Sequence, residues 1–142
     1  MSQENAENVR RSYAALNLAI VSGDIAPFLL EFCDPGIEYE PVEESLVVQG
    51  HEQLGEYFRR FYDVWEEFRW ELEEVIDAGD SIVSAALLKG RARASGIEIT
   101  QRLFLVADVL GSKIVRLREY LDRQEALEAV GLSDEDARAN SA

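Results

Sequence analysis

Two glutamates stand where acid/base chemistry could be done. Glu119 lies in the stretch Gly111 to Leu127, GSKIVRLREYLDRQEAL, which reads as a turn, a strand and a helix start with no gap between them. At period two, Val115, Leu117 and Leu121 share one side with Glu119, and Arg116, Arg118 and Tyr120 take the other. A carboxylate on an otherwise apolar strand face is either a buried cost or a proton carrier. The second candidate is Glu40, in the alternating run Ile37-Glu38-Tyr39-Glu40-Pro41. Set among aromatic rings it would serve as a general base; the competing reading is a solvated strand-edge charge beside Glu38, Glu43 and Glu44. For Glu119 the competing reading is a structural salt bridge to Arg102 or Lys89.

Other side chains could complete such a site. Arg102 alternates with Phe104 and Val106, which would place Arg102 and Phe104 on a concave sheet face, the arginine able to bind an anionic or carbonyl oxygen. A slip of one residue would exchange the two faces. Tyr13, Tyr39, Tyr57, Phe61 and Trp65 could wall a ligand pocket or simply fill a core. His51, just after Gly50, reads as a polar residue at a helix start. Cys33 is the only cysteine, which leaves no intramolecular disulfide and suggests a buried filler. With one histidine besides, the usual nitrogen and sulfur zinc sites are excluded, and no metal or cofactor is implied.

The elements that must position these residues follow from periodicity. Apolar residues recur at helical spacing from Asn8 to Ser22, and Gly23 stops them. Asp24 and Pro27 open a second helix that ends before Asp34-Pro35-Gly36. Leu54, Tyr57, Phe58, Phe61 and Trp65 form the strongest helical stripe, entered at Gly50. The period then changes to two, giving four long strands at 69–78, 81–94, 97–109 and 113–121 with turns at Gly79-Asp80, Ser95-Gly96 and Gly111-Ser112. Short connections make neighbours antiparallel. A last helix starts near Arg123 and ends at Gly131, with 132–142 expected to fray. Helices grouped first and strands after define one α+β domain over 1–142, core about 8–131, in which a curved antiparallel sheet and the N-terminal helices enclose a cone. The mouth of a cone is where a small molecule binds.

The 142 residues are enough for one core. With 28 acidic against 14 basic residues the net charge is −14, which argues against nucleic acid and anionic membranes as partners. The start, MSQENAENVRR, lacks the apolar core of a signal peptide, and no run has the length of a membrane span. A cytoplasmic setting is expected.

Three phrases carry a resemblance: SGDIAPFLLEFCDPGIEYEP at 22–41, VVQGHEQLGEYFRRFY at 47–62, and the Gly111 to Leu127 stretch, joined by EEVIDAGDSIV at 73–83. Together with the element order they resemble the SnoaL-like branch of the nuclear transport factor two-like superfamily, a cystatin-like cone. That superfamily hosts isomerases, cyclases, epoxide hydrolases, dehydratases and non-catalytic binding domains on one architecture. Its ketosteroid isomerases would place their general base at Glu40, but the oxyanion-hole acid falls near Arg102 to Phe104, where no carboxylic acid stands, and Tyr13 matches the oxyanion tyrosine only loosely. Its limonene-type epoxide hydrolases match at Glu119, while the Arg and Asp they also need fall on Leu87 and Lys89. Polyketide cyclases of the SnoaL branch use an acid/base group that Glu40 or Glu119 could supply. The resemblance implies a pocket for a hydrophobic, uncharged or mildly polar small organic molecule, and a homodimer through the outer sheet face carrying Arg116, Arg118 and Tyr120. Two functions stay open: acid/base catalysis on that molecule, or a non-catalytic ligand-binding or protein-interaction domain.

Overall fold

Residues 2–42 and 46–142 are described by the structure, a computed structural model. Glu43 and Glu44, offered above as neighbours of Glu40, lie outside the described residues. Helix α1 (Ser2–Ser22) starts earlier than its periodicity suggests and buries Ala6, Val9, Tyr13 and Ile20. Gly23 ends it at φ 76°, its N–H bonding Ala19 O at 2.7 Å. Helix α2 (Ala26–Phe32) takes Pro27 in its first turn and buries Phe28, Leu29 and Phe32.

Strand β1 (Cys33–Glu40) and the short β2 (Val48–Gln49) precede α3 (Gly50–Val64). Trp65, read as the last member of the α3 stripe, instead opens β3 (Trp65–Asp77) in extended conformation. Then come β4 (Ser81–Ala92), β5 (Glu98–Leu110), β6 (Lys113–Tyr120), α4 (Arg123–Ala129) and α5 (Asp134–Ala139). The six strands form one sheet in the order β2-β1-β6-β5-β4-β3. Strands β3 to β6 pair antiparallel through tight turns, whereas β1, separated from β6 by most of the chain, runs parallel to it.

Bulges curl this sheet into a cone. On β3, Glu67 and Phe68 face the single residue Gly90, with Glu67 at φ 54°, and an extra residue at Glu73 bends the strand again. An added Cβ at Gly90 would stand 2.9 Å from Phe68 Cβ, so only glycine admits this close approach. On β6 the extra residue is Val115, between Ile114 and Arg116. The exposed edge of β3 is tied down by Asn17 of α1, whose amide donates to Trp70 O at 2.8 Å and accepts from Trp70 N at 2.9 Å.

Both faces of the sheet are covered, unequally. Helices α1 to α3 fill the concave side, where Val9, Phe28 and Phe32 meet Ile82, Ala86, Ala107 and Ile114. On the convex side Ala126, Leu127 and Ala137 pack on Ile76, Val83, Ala85, Phe104 and Val106. The segment expected to fray, 132–142, is therefore structured. Ser133 and Asp136 form a reciprocal capping box, Ala137 is fully buried, and Ser141 bridges Ile76 at the sheet edge. Fraying is prevented by backbone bonds to β3, from Asp77 N to Asn140 O at 3.0 Å and from Ala142 N to Val75 O at 2.9 Å.

Candidate active site in the cone

The concave face and its helices enclose a cavity of about 680 Å³, within the usual range of small-molecule pockets. Alternation along each strand decides what reaches it. Ile37 and Tyr39 of β1, Phe68 and Trp70 of β3, Ser84 and Leu88 of β4, Leu103, Leu105 and Ala107 of β5, and Ile114, Leu117 and Glu119 of β6 line the wall. Helices contribute Tyr13 from α1 and Tyr57, Phe58 and Phe61 from α3. Trp65, Val42 and the segment 98–101 of β5 stand at the open end.

One row across the sheet carries the polar chemistry. Ser84 pairs with Leu105, and Leu105 with Glu119, so these three share a face on adjacent strands. Two strand spacings put Ser84 and Glu119 roughly 10 Å apart. At one end the Tyr13 hydroxyl and Ser84 Oγ are 2.7 Å apart, both buried. At the other, Glu119 Oε2 accepts a short hydrogen bond from the Tyr39 hydroxyl and Oε1 accepts from Val42 N at 3.2 Å. Tyr57 adds its hydroxyl to Tyr39 and packs edge-on against it, ring centroids 5.3 Å apart. Burial pushes the Tyr39 and Tyr13 phenols above their ordinary value, with the charge of Glu119 adding to the rise at both. Both tyrosines are thus neutral hydroxyls at physiological pH, able to donate a hydrogen bond but not to act as bases.

The candidate residues divide cleanly. Tyr13, Tyr39, Tyr57, Phe61, Trp65 and Glu119 all line the cavity. Glu40 does not. Its neighbours Ile37 and Tyr39 turn inward, so alternation sends Glu40 to the convex side, where Arg116 Nε and Nη2 both reach Glu40 Oε2 at 2.8 Å. Arg102 and Phe104 are also displaced from the concave face. The inward phase of β5 belongs to Leu103, Leu105 and Ala107, leaving Phe104 under α4 and Arg102 in a two-pronged pair with Glu73 at 2.7 and 3.1 Å. Lys89 bonds Glu71 at 3.0 Å, so neither cation expected beside Glu119 is engaged there. Val115 leaves the Glu119 side because it is the bulge, and Ile114 takes its place. His51 sits outside the cavity with Nε2 2.9 Å from Cys33 O. Ser84 and Trp70 were missed by sequence reasoning; the clue to Ser84 was that a buried Tyr13 hydroxyl needs a partner. Among the described residues, no group of three or more metal-ligating side chains exists.

A family model for the SnoaL-like domain matches residues 9–117. The chain belongs to the SnoaL-like family. Among solved structures, this SnoaL-like chain is similar to a proposed SnoaL-like polyketide cyclase from Jannaschia sp. CCS1, at 17% identity, TM-score 0.72, covering 94% of this chain and 95% of that one. It is also similar to a protein of ketosteroid isomerase-like fold from Catenulispora acidiphila in complex with trimethylamine, at 16% identity, TM-score 0.69 and coverage of 87% and 95%. A third is TerC co-crystallised with polyporic acid, at 20% identity, TM-score 0.69 and coverage of 89% and 97%. These likenesses show the fold, the ketosteroid isomerase-like cone. No curated protein matches the SnoaL-like chain by sequence.

Proposed function

We propose that this protein binds a hydrophobic small organic molecule in the cone and moves a proton on it, with Glu119 as the base. The observation that carries the reading is a carboxylate on the wall of an otherwise apolar, aromatic cavity, held by a neutral tyrosine hydroxyl. Both carboxylate oxygens accept hydrogen bonds, the pattern an ionised base requires. Tyr57, packed edge-on against Tyr39, stands beside the pair of Tyr39 and Glu119 and is placed to steady an oxygen on the substrate as charge develops. The Tyr13 and Ser84 pair, two strands away, is placed to orient the far end of the molecule. Two solved neighbours hold small organic molecules, trimethylamine and polyporic acid, which supports a ligand-receiving cone.

The test is native mass spectrometry of the purified protein to identify a retained ligand, then turnover of that ligand by Glu119→Gln and by Glu40→Gln. Glu119→Gln is expected to remain folded and lose at least a hundredfold in rate, the usual scale of a positioned acid or base; Glu40→Gln is expected to match the wild type. Unchanged turnover in Glu119→Gln would sink the proposal.

A second reading has its own support. Glu119 bonds Val42 N beyond the end of β1 as well as Tyr39 within it, so the carboxylate also fastens β1 to β6. On that reading the cone binds without catalysis, and the retained ligand leaves unaltered. The same spectra report assembly. We infer a homodimer through the convex face, supported by Arg116, which points outward there beside Glu40 and stays about two-fifths exposed.

A further inference from the structure

One long stretch of sheet edge is left uncovered. Strand β5 pairs with β4 from Glu98 to Asp108, but with β6 only from Phe104 onward, because β6 ends at Tyr120. Among the described residues, 98–103 therefore have a strand on one side and none on the other. Ala92 N donates to Ile97 O and Val109 N to Asp80 O, both at 2.9 Å, so the odd-numbered residues of β5 are those bonded to β4. Glu98, Thr100 and Arg102 then direct their N–H and C=O groups to the open side, and all three residues are exposed. Arg102 O accepts from the Gln101 side chain at 3.1 Å; the other backbone groups of these three residues have no partner among the described residues. The edge of β3 is treated differently, tied down by Asn17 and by the backbone of Asn140 and Ala142.

The sequence of the β5 edge is complementary to itself. Set antiparallel against a second copy with Thr100 opposite Thr100, Glu98 of each copy faces Arg102 of the other. The same register brings the open N–H and C=O groups of Glu98, Thr100 and Arg102 into hydrogen-bonded pairs, as a twofold axis through Thr100 requires. Gln101 then gives up Arg102 O to a backbone donor. Both charges can reach across: the Glu98 side chain is 78% exposed, 3.7 Å from Arg91, and that of Arg102 is 54% exposed beside Glu73. We propose that two copies of this chain join through residues 98–103 of β5, continuing one sheet into the other. Residues 98–101 also border the open end of the cavity, so the two mouths adjoin at this contact. The contact uses a strand edge and not the convex face, and depends neither on the homodimer inferred above nor on the ligand reading.

Sedimentation equilibrium of the full chain at neutral pH tests this, with Glu98→Arg, with Arg102→Glu, and with the two variants mixed. Each variant alone sets like charges opposite each other and is expected to weaken association about tenfold or more. In the equimolar mixture every facing pair is again of opposite sign, so the wild-type mass should return. If the convex face also associates, tetramer falls to dimer and recovers; otherwise dimer falls to monomer and recovers. A second readout needs no variant: the amides of Glu98, Thr100 and Arg102 in the wild type should become protected from hydrogen exchange as concentration rises. The proposal is overturned if the wild type is a monomer at millimolar concentration, if both variants keep its mass, or if these amides exchange as unpaired where it is associated. A mixture that stays at the mass of the single variants, both folded by circular dichroism, overturns it as well.

Discussion

Replacing Tyr39 by Phe removes a single oxygen from the cavity wall and tests whether Glu119 is held as described. Tyr39 is 8% exposed, and its ring contact with Tyr57 does not depend on the hydroxyl, so burial and stacking survive the change. What is lost is chiefly a hydrogen bond to a charged group, about 1.5–3 kcal/mol net, together with the neutral contact to the Tyr57 hydroxyl. In a Glu119→Gln background the same bond is neutral and worth about 0.5–1.5 kcal/mol, so the two substitutions should couple by about 1 kcal/mol. Urea unfolding read by tryptophan fluorescence is suited to this, because Trp65 and Trp70 both line the cavity. With a urea slope of about 1.5–2 kcal/mol per M, Tyr39→Phe should lower the midpoint by about 1 M without changing the slope. A midpoint shift under about 0.2 M, or strict additivity with Glu119→Gln, would refute the reasoning: water would then be replacing the hydroxyl, and Glu119 would not depend on Tyr39 for its position.

Gly90→Ala should destabilise the protein by about 1–3 kcal/mol, since the new methyl meets Phe68 Cβ at 2.9 Å and Cα at 3.3 Å, atoms fixed to the backbone of the bulge; a thermal melt within a degree of wild type would show that the bulge yields freely. Alkaline stability should fall in two stages. Burial pushes the Cys33 thiol up from 9.0 to about 12, so the unfolded chain releases this proton above about pH 9 while the folded chain keeps it, and stability declines by about 1.4 kcal/mol per pH unit up to about 12. Tyr13 and Tyr39, also raised, add the same sign of slope above their ordinary value of 10.0. Cys33→Ala should flatten the midpoint-against-pH curve between pH 9 and 10 and leave only the slope from the tyrosines above that; an unchanged slope between pH 9 and 10 would show the thiol to be solvated.

Periodicity made most of this fold legible, and the exceptions have identifiable causes. Helix α3 and strands β4 to β6 fall within three residues of where apolar spacing puts them. The inward face of β5 could not be phased, because Leu103 to Ala107 is buried on both sides, by the cavity and by α4 and α5, and a doubly covered strand shows no alternation. That is why Arg102 and Phe104 were placed on the wrong side. The covering itself was hidden: a six-residue helix whose buried member is the single Ala137 leaves almost no hydrophobic signature. Glu40 is a different case. Alternation of Ile37 and Tyr39 already pointed it outward, and likeness to isomerases pulled the other way. Burial on this strand obeyed its own period and not the relatives' chemistry.

The position of Glu119 depends on one inserted residue. Ile114, two residues after the turn at Ser112, packs into the concave core. Strict alternation from there would carry Arg116, Arg118 and Tyr120 into the cavity and turn Glu119 out to the convex face. The extra residue at Val115 reverses the phase, so that Leu117 and Glu119 follow Ile114 inward and the two arginines reach Glu40 and Asp108 outside. The same bulge that bends the sheet therefore sorts its charges, leaving the concave wall with a carboxylate and the convex face with paired ions. Register here is a chemical decision as well as a structural one. A cone built on the unbulged strand would present two guanidinium groups to its ligand, whereas this one presents Glu119 among aromatic walls.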